Sequence, residues 1–177
     1  AMDILVSSNL ERLLFDLYDE DSNKLAQLMN ELNTKGKYTV NPIVKEKLDQ
    51  LFAAGFATED EVETEIKRIF EKDHYTLDPH TAVASFVTNK YQEASHDQAP
   101  TVIISTASPY KFPETVFHAL TKKDVKEKGI PAIKELNAFL QEDITGNVNN
   151  LIKAGNYQEQ ITEANEMENT LLNILDI

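Results

Sequence analysis

The sequence predicts an α/β fold that is mostly helical and carries a small parallel sheet. Amphipathic periodicity of about 3.6 residues, punctuated by capping signals, runs through most of the chain. Two short runs, Ile4–Leu5–Val6 and Val102–Ile103–Ile104, are continuously apolar rather than alternating, the pattern of a strand covered on both faces in a parallel sheet. Two strands are few, because sheets usually hold about four to six. The sheet is therefore either minimal or completed by chain that lies elsewhere, and an exposed edge or apolar face left by such a division would invite self-association.

The elements follow in order. After the first strand, Ser8 with Glu11 reads as a capping box for a helix with Leu10, Leu13, Leu14, Leu17 and Tyr18 on one face. A second helix starts near Ser22, buries Leu25, Leu28, Met29 and Leu32, and stops at Gly36. Lys37–Val40 is compatible with a brief strand. Asn41 and Pro42 then supply the N-cap and first turn of a helix carrying Val44, Leu48, Leu51 and Phe52 toward Gly55. Thr58 and Glu61 form a second capping box, ahead of Val62, Ile66, Ile69 and Phe70. Asp78 and Pro79 open a fifth helix whose expected stripe is Val83, Phe86, Val87 and Tyr91. Its Ala82, Ala84 and Ser85 leave a small-residue surface for close packing. Helices from about Pro113, Pro131 and Gln158 complete the chain, with linkers expected at 92–100, 121–130 and 144–157.

Bulk properties narrow the function. At 177 residues the chain is long enough to bury a core of its own. Thirty acidic side chains against 17 lysines and arginines give a net charge of −13, which disfavours nucleic acid and anionic membrane surfaces as partners. There is no cysteine, which excludes disulfides and thiolate metal sites and fits a cytoplasmic location. No apolar run approaches the roughly 20 residues of a membrane span, and the first residues lack a basic signal-peptide region. Ala1 precedes what reads as a native methionine and is set aside as a tag remnant.

Glycine occurs at 36, 55, 129, 146 and 155 only, each at a helix stop or turn, so no Gly-rich phosphate cradle can be assembled. Asp73, His74, Asp78 and His80 have metal-ligand chemistry, but the plainer reading puts His80 in a helix's first turn and His74 on a solvated helix end. The acid-rich stretch 58–73 reads as a solvated helix face with acids in its first turn. No G-x-S-x-G turn supports a Ser-His-Asp arrangement. The stretch Thr101–Glu114, TVIISTASPYKFPE, is the exception to this plainness. Ligands of parallel α/β sheets bind beyond the carboxyl ends of strands, where Ser105, Thr106 and Ser108 stand. From position alone these hydroxyls are either ligand contacts or caps of the strand and the turn that follows.

Three blocks in order, DILVSSNLERLLF (3–15), DPHTAVA (78–84) and STASPYKFPE (105–114), resemble the C-terminal part of bacterial threonine synthases. The similarity spans roughly residues 2–120, and 121–177 match only in helical character. The family usually reads Thr-Ala-His-Pro-Ala-Lys-Phe in the third block; Ser108 stands here for the His and Tyr110 for the second Ala. The resemblance implies that residues 1–177 form the C-terminal part of an enzyme of the tryptophan-synthase-β-like fold, fold type II of the pyridoxal 5′-phosphate (PLP) enzymes. Such enzymes convert O-phosphohomoserine and water to threonine and phosphate. The family's Schiff-base lysine and phosphate cradle lie in blocks not found here, so the chain alone is expected to be inactive. Thr106 is the one site residue carried over: the family sets this hydroxyl against the pyridine nitrogen of PLP. The competing reading is a stand-alone helical α/β module that binds a protein partner without catalysis.

Overall fold

The computed structural model describes residues 6–142, 144, 146–154 and 161–175. Among them the regular structure is helical, and the side chains gather around two separate cores.

The first core is built by α1 (Ser8–Leu17), α2 (Ser22–Lys35) and α3 (Pro42–Leu51). Leu14, Leu17, Tyr18, Leu28 and Val44 are buried together, at the spacing the leucine pattern of α1 implies. The Tyr18 hydroxyl accepts the Asn41 N–H at 3.1 Å, which ties the end of α1 to the start of α3. Gly36 closes α2 at φ 70°, a left-handed position that glycine takes without a Cβ penalty.

The second core gathers α4 (Glu59–Asp73), α5 (Pro79–Ser95), α6 (Pro113–Thr121), α7 (Ile130–Leu140) and one face of α8 (Gly146–Ala154). α4 packs on both α5 and α6, and α6 on α7. Val62, Ile66, Ala82, Val116 and Leu136 are the buried centre. The last helix, α9 (Met167–Leu175), buries none of its residues.

Most caps stand where expected. Asn41 and Asp78 accept backbone N–H groups of α3 and α5, and the Thr58–Glu61 capping box of α4 is complete in both directions; α2, expected to start near Ser22, has Asp21 as its cap. The cap of α1 is Ser7 rather than Ser8: its hydroxyl accepts Leu10 N–H, and Glu11 lies one position too late to reciprocate.

Other expectations are overturned. The small parallel sheet is not seen. Val102–Ile104 forms no ladder among the described residues and is exposed, Val102 at 81% and Ile104 at 69%, because a strand needs a neighbour to bond and none is present there. Ile4 and Leu5 lie outside the described residues, and Val6 sits in a bend before α1. Lys37–Val40 is not a strand either; Tyr38 and Val40 pack onto the first core. α3 ends at Leu51, leaving Leu51 and Phe52 exposed. On α5 the buried positions are Pro79, Thr81, Ala82 and Ser85, with Ser85 bonded to Glu65 of α4, while Ala84 of the expected small-residue surface is exposed; of the expected stripe Val83 packs against the second core and Tyr91 is exposed. α8 lies inside the stretch read as a linker, and the expected start of the last helix at Gln158 is outside the described residues. No helix among the described residues is long and apolar enough to cross a membrane.

Candidate functional site

The second and third sequence blocks meet in space at the first turn of α5. Asp78, its N-cap, is fully buried and accepts His80 N–H at 2.9 Å and Thr81 N–H at 3.3 Å. The Thr81 hydroxyl is paired with the same carboxylate and stands 3.3 Å from the Ser105 hydroxyl. His80, one residue earlier, presents its ring edge to Phe112 with centroids 5.0 Å apart. Consecutive residues of one helical turn therefore grip the chain on both sides of Thr106.

A second clamp lies farther along α5, where Gln92 Nε2 donates to the Thr101 hydroxyl at 3.0 Å. Thr81 and Gln92 fall on nearly the same face of the helix, about 16 Å apart along its axis. Residues 101–105 span at most about 13 Å fully extended, so the side-chain reach that remains leaves little slack. The segment thus runs back along α5, pinned at both ends. Ile103 is the least exposed of its three apolar residues. Beside it, Gly55, Phe56, Val87, Tyr91 and Thr101 line an open cleft of about 490 Å³.

The hydroxyl-rich turn then sorts itself. Ser105 faces Thr81, and Ser108 caps a 3-10 turn over Pro109–Lys111 by accepting Tyr110 N–H. Thr101 is held by Gln92. Thr106 is exposed, and its side chain has no hydrogen-bond partner among the described residues. Tyr110 is a packed aromatic: its hydroxyl donates to Asn137 Oδ1 at 2.8 Å, and burial, then the Glu142 carboxylate, raise its phenol above the usual range. Lys111 is exposed. Both departures from the family pattern, Ser108 and Tyr110, therefore have structural work within this turn.

The first block is not brought to this place. Its helix, α1, belongs to the other core. His74 ends α4 in the left-handed region and His80 packs on Phe112, and among the described residues no three His, Cys, Asp or Glu side chains gather as a metal site.

One polar residue escapes the reading of 58–73 as a solvated face. Glu65 is buried between α4 and α5, where it takes two N–H donors of Arg68 at 2.7 Å each, the Ser85 hydroxyl at 2.5 Å and Asn89 Nδ2 at 3.3 Å. The Arg68 bonds hold its carboxyl below the ordinary range against the opposing effect of burial. The signal was present in the spacing, since Val62, Glu65, Ile66 and Ile69 share one helix face.

A helical fold of this kind is similar to part of a class of synthases. Residues 81–148 match the family model described as threonine synthase, C-terminal. The chain is 42% identical over 132 residues to threonine synthase of Schizosaccharomyces pombe, covering 68% of this chain and 26% of that protein. It is 35% identical over 139 residues to threonine synthase-like 1 of Macaca fascicularis, covering 78% and 18% respectively. The solved structure of PLP-bound threonine synthase from Brucella melitensis superposes with a TM-score of 0.60 at 33% identity, over 80% of this chain and 29% of that one. By sequence and by fold the chain is thus similar to the C-terminal part of threonine synthases, and it spans less than a third of the length of these relatives.

Proposed function

We propose that these 177 residues act as the C-terminal part of a threonine synthase and form one wall of its PLP site. The reaction is the conversion of O-phosphohomoserine and water to threonine and phosphate, carried out in the cytoplasm, for which a cysteine-free chain is suited. The observation that carries the reading is Thr106: in a block shared with that family it offers an exposed hydroxyl without a partner among the described residues, while the hydroxyls around it are engaged.

Bound PLP supplies an electron sink. The chain's part is to hold one neutral hydroxyl at the pyridine nitrogen, and a hydroxyl stabilises a protonated ring less than a carboxylate would. The lysine and phosphate contacts come from chain outside these residues, so the 177-residue piece is inactive alone. Its exposed Val102 and Ile104 favour self-association in isolation.

The test is Thr106→Val in the longer enzyme. The substitution keeps the shape and leaves a ring nitrogen unpaired, a loss of about 1–3 kcal/mol. Turnover should fall by roughly one to two orders of magnitude. Cofactor loading should persist, and Thr106→Ser should restore most of the rate. An unchanged kcat in Thr106→Val would remove the cofactor reading and leave the stretch as a turn cap.

A further inference from the structure

We propose that Thr81, held by the buried Asp78, is a positioning residue that aims Thr106. The proposal rests on the cofactor reading of Thr106 and extends it to the helix behind. A threonine hydroxyl has one proton and two acceptor lone pairs. Thr81 Oγ1 is paired with the Asp78 carboxylate and stands 3.3 Å from Ser105 Oγ, to which its hydroxyl is directed, so one O–H is shared between the two acceptors. Asp78 cannot rotate away, because it also accepts two backbone N–H groups of the α5 cap. The direction of the Thr81 hydroxyl is therefore set by the helix, and Ser105 Oγ is held as its acceptor.

Ser105 is the residue immediately before Thr106. Among the described residues its bond to Thr81 and the Gln92–Thr101 bond are the hydrogen bonds that fasten side chains of 101–106 to α5. On the far side, His80 on Phe112 and the Ser108 cap fix the turn that follows. Among the described residues the Thr106 side chain is thus left without a hydrogen bond of its own but bracketed by held neighbours, which is what a group reserved for a ligand needs. Removing the Thr81 hydroxyl frees Ser105 and lets the Thr106 hydroxyl wander from the ring nitrogen while every direct cofactor contact is still present.

The experiment uses the longer PLP-loaded enzyme with a nitrogen-15 label in the pyridine ring, read by magnetic resonance, alongside turnover. Thr106→Val should shift the ring signal. Thr81→Val should shift it in the same direction by less, the double variant should add nothing beyond Thr106→Val, and Thr81→Ser should restore the wild-type signal. Ser105→Ala removes the other end of the bond at an exposed position and should reproduce Thr81→Val even if that variant folds poorly. A ring signal that moves with Thr106→Val but not with Ser105→Ala or Thr81→Val overturns the positioning role alone. A signal unmoved by Thr106→Val overturns the cofactor reading and the positioning role with it.

Discussion

Replacing Glu65 by glutamine removes a buried charge from the α4–α5 contact with little change of volume. The carboxylate receives four hydrogen bonds from Arg68, Ser85 and Asn89 while only 4% exposed. A glutamine offers one carbonyl oxygen, and its amide N–H groups must then face other donors, so at least one charge-assisted bond is lost. Such bonds contribute about 1.5–3 kcal/mol. The Arg68 side chain is 42% exposed, so water replaces part of what it loses and the screened share is smaller. We expect a net loss of about 1–2 kcal/mol, or roughly 2–8 °C in Tm for a chain of this size.

The pH dependence follows from the direction of the Glu65 shift. Its folded-state carboxyl is depressed, chiefly by the Arg68 hydrogen bonds, so its contribution is complete above the unfolded carboxylate value of about 4.3 and is lost as pH falls below that value. The stability gap between the native chain and Glu65→Gln should be constant above about pH 5 and shrink toward zero on acidification. Urea unfolding followed by far-UV circular dichroism at several pH values measures this gap. Equal stabilities at neutral pH, or a gap that widens in acid, would refute the argument.

Two further outcomes are expected. The isolated chain, mixed with PLP and borohydride, should give no stoichiometric adduct on a single lysine, and mass spectrometry would show one if the missing cofactor contacts were here after all. A Cβ at Gly55 would lie 2.8 Å from Cγ1 of Val87, whose branched side chain is stiff, so Gly55→Ala should cost about 1 kcal/mol in urea unfolding. Adding Val87→Ala should recover most of that loss; an additive double variant would show that the two residues do not press on each other.

What was legible in the chain was what is decided locally. Asn41, Thr58 and Asp78 are readable as caps because an N-cap needs only its own next three residues. The slip between Ser7 and Ser8 is the error that adjacent serines invite. Val102–Ile104 was misjudged for the opposite reason: a strand is defined by its partner, and its apolar run says nothing of where that partner lies. On α5 the small Ala82 and Ser85, legible as a surface for close packing, are buried, whereas Tyr91 of the larger apolar stripe is exposed, because periodicity marks a face but not how far along the helix its neighbour reaches. Glu65 was lost in the average acidity of its helix, and only its place between Val62 and Ile66 marked it. At the candidate site, family resemblance singled out Thr106. The tie from Thr81 to Ser105 spans 24 positions of sequence, and no local pattern announces it.

The division into two cores bears on how this chain comes apart. Among the described residues the groups α1–α3 and α4–α8 share no buried residue, and between them residues 52–56 run exposed, with Phe56 at 80% and Phe52 at 54%. A protease that prefers aromatic side chains finds its substrate presented there, on backbone outside any helix. A single nick at that seam would sever the polypeptide without opening either interior. The two halves would then melt as independent units, each losing its own heat in its own transition, where an undivided interior of this length would give one.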